Sequence, residues 1–318
     1  MTNLKKIGLT ALAGSLVATS AFAGALSVGG GAKVSYTAKT GSSNAENGSR
    51  WGFQKLITFA GSGELDNGNS VSLYHGMTAL GAHSSSSVTY DMGDMGKIML
   101  SDGVGGLGIA GIDDLMPTAV EEPWDGLGTA AVTKTGYATQ GGDGFEYTNT
   151  SMDNLKVEIG HTTRGAMGDD GSVSGTGAIK SATSIAVQYT GVEGANIFYG
   201  TGSTGTSATA ETDYDTMGVT YAMGGATVGV QMTDSDAAGT KHENTAYGIS
   251  FSVNDDLSVS YGQSTVEKSG SVDQEISGVS VGYSMGGLTL QAHANEGDNI
   301  GNSANNYEHT ELTVSFAF

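Results

Sequence analysis

The chain of 318 residues has no cysteine, only two prolines, and just 13 lysines and arginines against 33 aspartates and glutamates. Each shortage excludes something. Without cysteine there is neither a disulfide framework nor a thiolate metal site, so an exported fold of this sequence draws its stability from paired backbone. Two prolines in 318 residues rule out a proline-rich linker or a proline-rich disordered chain. Beyond the first two dozen residues no stretch approaches the roughly 18 consecutive apolar residues that a spanning helix needs. A formal net charge of −20 repels nucleic-acid phosphates, so no nucleic-acid partner is expected.

What is present begins with a leader. Lys5 and Lys6 precede an apolar run over 7–18 and the small-residue ending Ala21, Phe22, Ala23. That order predicts a secretory signal over 1–23, cleaved before Gly24, and one mature domain over 24–318. A short N-terminal anchor is the bland alternative, but the run is brief and carries Ser and Thr.

The mature chain alternates. Leu26, Val28, Ala32, Val34 and Tyr36 interleave with Ser27, Lys33, Ser35 and Thr37, and the pattern recurs in sixteen segments down to Leu312, Val314, Phe316 and Phe318. Period two marks a strand with one face in an apolar medium and the other in water. Tight Gly, Asn and Asp turns at 66–69, 93–94, 152–154, 192–194, 223–225, 254–256 and 285–287 alternate with polar stretches near 39–49, 80–86, 102–143, 162–182, 200–213, 233–245, 262–274 and 293–309. An even strand count with short and long links in turn predicts an all-β fold. It is a 16-stranded antiparallel transmembrane β-barrel with short periplasmic turns and long external loops. A soluble β-sandwich or β-helix is the competing fold. Aromatic residues near many strand ends favour the membrane, and the irregular spacing argues against a β-helix.

The terminal pattern Leu312-x-Val314-x-Phe316-x-Phe318, the sixteen strands and the oversized third loop resemble the Gram-negative general-diffusion porins. The glycine-rich, acidic composition is most similar to the alphaproteobacterial type. The resemblance covers the whole mature chain and implies a multi-pass barrel in the cell outer membrane, among its lipid and lipopolysaccharide. It further implies a homotrimer, recognition of Phe318 by the barrel-assembly machinery, and a third loop folded inward over 102–143. The activity implied is passive diffusion of small hydrophilic solutes and cations through a channel, without cofactor and without enzymatic chemistry.

Sixteen strands enclose more space than wall side chains fill, so the lumen is aqueous unless a loop narrows it. The segment from Asp102 to Asp143 has the length, and it holds Pro117, Pro123 and Trp124, which suit a fixed conformation. Its acids Asp113, Asp114, Glu121, Glu122 and Asp125, together with Asp102 and Asp143, face the single base Lys134. Carboxylates at a constriction lower the energy of cations, so cation preference is predicted. Alternation points Lys33, Arg50, Lys97 and Lys156 into the lumen, and antiparallel neighbours would bring Lys33 and Arg50 to one patch. Opposed to the acidic loop, as the resemblance implies, such bases produce a transverse field.

Asp169 and Asp170, or Asp234 and Asp236, offer oxygens for structural calcium, but neither pair has the spacing of a defined site. The histidines at 75, 83, 161, 242, 293 and 309 show no metal-ligand spacing and read as rim or loop residues. The rival functions are an outer-membrane barrel enzyme of lipase or protease type, for which His83 beside Ser84–Ser87 is the one His and Ser cluster, and a structural or adhesive barrel without an open pore.

Overall fold

A computed structural model describes residues 26–42, 47–78, 81–127, 143–162, 181–205, 211–237 and 239–317. The leader over 1–23, Phe318, Lys134, Asp169 and Asp170 lie outside the described residues. The strands are β1 (Ser27–Gly41), β2 (Gly48–Glu64), β3 (Ser70–Thr78), β4 (Ala82–Asp91), β5 (Lys97–Asp102), β6 (Gly144–Asn149), β7 (Leu155–Thr162) and β8 (Ala182–Tyr189). They continue as β9 (Ala195–Gly205), β10 (Glu211–Met223), β11 (Ala226–Ala237), β12 (Thr240–Ser252), β13 (Leu257–Lys268), β14 (Gln274–Met285), β15 (Leu288–Asp298) and β16 (Tyr307–Ala317). Every strand pairs antiparallel with its sequence neighbours, and β1 pairs with β16, so the sheet closes on itself as a sixteen-stranded barrel without an edge.

Register explains which face is which. Tyr36 on β1 lies opposite Trp51 and Leu312, and Val34 lies opposite Phe53 and Val314, so one row of apolar side chains crosses three strands. These rows point away from the axis. Trp51 is 74% exposed and Phe53 is 62% exposed, which a soluble sandwich with its alternation turned into a core would not allow. A continuous exterior band of this kind belongs against lipid. The opposite rows turn polar groups inward, and Gln231, Thr233, Asn244 and Gln274 are buried there.

The tight turns fall where the sequence places them, and local chemistry shows why. The Asn254 side-chain oxygen accepts from the backbone N–H of both Asp256 and Leu257, each at 2.9 Å, which closes the β12–β13 turn. The external links are shorter than expected. The stretch 233–245, read as a loop, is the β11–β12 hairpin, with strands running to Ala237 and from Thr240. Likewise β4 starts at Ala82, β13 reaches Lys268 and β15 reaches Asp298. Above the lipid both faces of a strand meet water, so the alternation of polarity vanishes while the backbone ladder continues. On these extensions Asp215, Asp234, Glu243 and Glu267 stand in one outward row across β10–β13.

The packed apolar core is not in the wall. It lies between the segment after β5 and the lumen side of the barrel, where Ile109, Ile112, Met116, Trp124 and Leu127 meet Ala186, Phe198, Ala246, Ile276 and Ile300. Burial of this kind, worth about 1.5–3 kcal/mol per large side chain, gives the segment a reason to fold inward.

Candidate functional site

Residues 103–127 follow the inner wall from β6 towards β16, held at intervals by side chains whose strand register points them inward. The Gly108 N–H donates to Glu146 Oε2 at 2.8 Å, and the Ile109 N–H donates to Ser184 Oγ at 3.0 Å. The buried Gln231 amide then clasps the chain: its Nε2 donates to the carbonyls of Ile112 and Asp113, both at 3.1 Å, while its Oε1 accepts from the Leu115 N–H at 3.3 Å. Ser260 Oγ accepts from the Ala119 N–H at 2.9 Å, and Asn295 Nδ2 donates to the carbonyls of Glu122 and Asp125 at 3.2 and 3.0 Å.

The two prolines seat on wall glycines. A Cβ on Gly248 would stand 2.9 Å from the Pro117 carbonyl, and one on Gly278 would stand 3.0 Å from the Pro123 Cα. Inward-facing glycines on β11, β12, β13 and β14 therefore form a shallow track in which the segment lies closer than any side chain would permit.

The face of the segment turned away from this track looks across the lumen at β16, β1 and β2. A cavity of ≈ 560 Å³ lies between them, lined by Asp125 and Gly126 on one side and by Lys39, Arg50, His309 and Glu311 on the other. Glu311 accepts from Thr37 and Thr313, each at 2.8 Å, and sits 3.5 Å from Lys33 Nζ. Glu121 is half-buried, and burial together with the nearby Asp125 and Glu122 carboxylates pushes its pKa above the ordinary glutamate value against the opposing pull of Lys33.

The sequence-predicted residues separate into groups. Asp113, Asp114, Glu121, Glu122 and Asp125 all lie on the segment inside the barrel and are all half-buried. Lys33 and Arg50 both face inward, but the register sets Thr37 opposite Arg50 and Gln54 opposite Lys33, so the two bases stand four residues apart along the wall. At about 3.3 Å per residue that is roughly 13 Å. Lys39, two residues from Thr37, is the base that joins Arg50 at the cavity. Lys97 starts β5 beside the turn 93–96 and pairs with Asp91 at 3.0 Å, and Lys156 pairs with Glu158 at 2.7 Å. Asp234 lies 3.5 Å from Lys241 Nζ.

Glu311, Lys39 and His309 were not singled out from the sequence, although the outward Leu312, Val314 and Phe316 put His309, Glu311 and Thr313 on the lumen side by alternation. The histidines differ from the rim and loop reading. His293 on β15 and His309 on β16 are buried beneath the segment, with Nε2 of the first 3.0 Å from Nδ1 of the second and 3.5 Å from Asp125 Oδ2. Among the described residues these three form the group with metal-ligand spacing.

His83 belongs to an outward-facing cluster with His75, Ser86 and Asp102. Its Nε2 is 3.0 Å from Ser86 Oγ and 3.6 Å from Asp102 Oδ2. A catalytic triad needs the serine and the carboxylate on different ring nitrogens, and here one nitrogen faces both.

Residues 8–302 match the family described as Gram-negative porin. Solved structures of similar fold include an anion-selective porin from Comamonas acidovorans, 14% identical, with TM-score 0.66 over 93% of this chain and 100% of that one. A mutant of the Rh. blastica porin is 12% identical, with TM-score 0.67 over 92% and 100%. OmpT of Vibrio cholerae in trimer form is 12% identical, with TM-score 0.64 over 92% and 100%. A comparison with curated proteins gave no match.

Proposed function

Because this chain belongs to the Gram-negative porin family, we propose that it is a cation-preferring diffusion channel of the outer membrane, with its constriction between the segment 103–127 and the wall of β16, β1 and β2. The family and the closed barrel are those of an outer-membrane channel for solutes. The preference rests on one observation. Five carboxylates, Asp113, Asp114, Glu121, Glu122 and Asp125, lie on the segment inside the barrel, residues 103–127 carry no lysine or arginine, and Lys33 on the wall is answered by Glu311 at 3.5 Å. Their sum favours cations where the passage is narrowest. Small hydrophilic solutes pass down their gradients, and no step draws on a cofactor.

A homotrimer is part of the same reading. OmpT of Vibrio cholerae has a trimer form. The exterior of this barrel is interrupted by Lys55 on β2 and by His75, His83, Ser86 and Asp102 on β3–β5, where lipid would leave polar groups unmatched and a neighbouring subunit would cover them. The same reading places Phe318 as the signal for the barrel-assembly machinery, with lipid and lipopolysaccharide around the apolar band, and gives export to the leader over 1–23.

The test is a planar bilayer under a potassium chloride gradient. We expect closure in three steps and a reversal potential of cationic sign. Replacing Asp113, Asp114, Glu121 and Glu122 by their amides should move that potential towards zero; an unchanged potential would remove the segment from the conduction path.

A further inference from the structure

The Asp125, His293 and His309 group is chemistry that passive diffusion does not use. His293 lies opposite Glu311 and Asn295 lies opposite His309 in the β15–β16 register, so the two imidazoles are diagonal neighbours on the inner face. Their ring centroids are 5.0 Å apart and both residues are 5% exposed. Asp125 reaches them from the segment, while its own side chain stays 46% exposed to the lumen. Gly126 holds it there: its φ of +74° belongs to the left-handed region, and a Cβ at this position would collide with the His309 ring.

A hydrogen-bonded histidine pair alone does not account for this convergence. His293 Nε2 faces His309 Nδ1 at 3.0 Å and Asp125 Oδ2 at 3.5 Å. If Nε2 carries the proton, one N–H serves two acceptors; if Nδ1 of His309 carries it, the Nε2 lone pair points at a carboxylate oxygen. Three lone-pair atoms that all lie within 4.8 Å of one another share a centre that suits a cation. We propose that Asp125, His293 and His309 bind a divalent transition-metal ion of the zinc class, which ties the constricting segment to the wall at β15 and β16.

Two imidazole nitrogens and one carboxylate oxygen form a donor set that zinc, cobalt or nickel takes and that calcium and magnesium do not. Metal–nitrogen bonds of about 2.0–2.1 Å put tetrahedral ligands about 3.3 Å apart; the two separations to His293 Nε2, 3.0 and 3.5 Å, straddle that value, and all three ligand atoms lie within 4.8 Å of one another. Asp125 and His309 line the ≈ 560 Å³ lumen cavity, so an ion has a path to the site from water and a solvent molecule can complete its shell. Lys39 and Arg50 oppose a cation at this wall, and Glu311 favours it from the same cavity.

Cobalt(II) is the probe, because its visible absorption reports tetrahedral nitrogen and oxygen ligands without any need for conduction. Folded, detergent-solubilised protein freed of metal by a chelator should bind one cobalt(II) per chain, with zinc(II) displacing it. His293→Gln and His309→Gln, checked for heat-modifiable mobility, should abolish the absorption band. Asp125→Asn, at a partly exposed position that leaves the wall intact, should weaken binding by about tenfold or more. Absence of a stoichiometric band in the parent protein, or parent-like affinity in Asp125→Asn or in a folded histidine variant, overturns the site. Because the readout is equilibrium binding, failure here and failure of the channel reading are told apart.

Discussion

Glu121 is the carboxylate through which acidity should act first. Burial and the Asp125 and Glu122 charges favour its neutral form, so on acidification it takes a proton above the pH at which an ordinary glutamate does. Cation preference should therefore begin to fall at that higher pH, and Glu121→Gln should remove this upper limb from a series of reversal potentials measured against pH. Stability moves the other way. A glutamate whose folded pKa is raised makes a contribution that is fully present below its unfolded value and is lost as pH rises through the folded value. Thermal unfolding of Glu121→Gln should be flatter than the parent across that window, and a parent-like slope would mean that Glu121 is solvated. At this scale the sequence was partly legible. Alternation from Leu312, Val314 and Phe316 reaches Glu311 directly, whereas Lys39 falls in the stretch 39–49 read as a loop and lies on β1. His293 and His309, sixteen residues apart, carry no motif along the chain and meet only through the β15–β16 register.

Among elements, the segment 103–127 lies against wall glycines at which there is no room for a side chain. Gly248→Val would place its branched side chain against Pro117, whose carbonyl and Cδ lie 2.9 and 3.0 Å from the position of a Cβ. Overpacking of this kind costs about 1–3 kcal/mol, and the segment can escape it by leaving the wall. We expect larger single-channel conductance and weaker cation preference from a barrel that still shows heat-modifiable mobility; parent-like conductance would show that Pro117 does not set the lumen width. The strands and turns themselves were readable because lipid imposes a two-residue period and Asn254 and its counterparts close hairpins locally. The upper halves of β11–β14 were not, because water on both faces erases that period where Asp234, Glu243 and Glu267 stand. Nor was the path of the segment, since Gln231, Ser260 and Asn295 announce no partner until the wall has curved round to them.

For the molecule as a whole, the chain carries 33 acids against 13 bases, and the proposed selectivity is a property of their summed field and not of a fitted pocket. The screening length shrinks from about 10 Å at 0.1 M salt to about 3 Å at 1 M. Cation preference should accordingly decline as the mean potassium chloride concentration is raised at a fixed ratio across the bilayer. A preference that persisted undiminished would point to direct ligation of the ion.

The way the segment is fastened also orders events in time. Its anchors extend as far as Asn295, which holds Glu122 from 173 residues away, so docking has to wait until the later strands stand in place. On this ordering the passage should narrow only after the barrel has closed, an outcome that time-resolved tryptophan fluorescence during refolding would check. The two tryptophans would report the two steps separately: Trp51, on the outside, changes surroundings when the barrel enters lipid, whereas Trp124, carried on the segment and buried against the wall, does so when the segment docks.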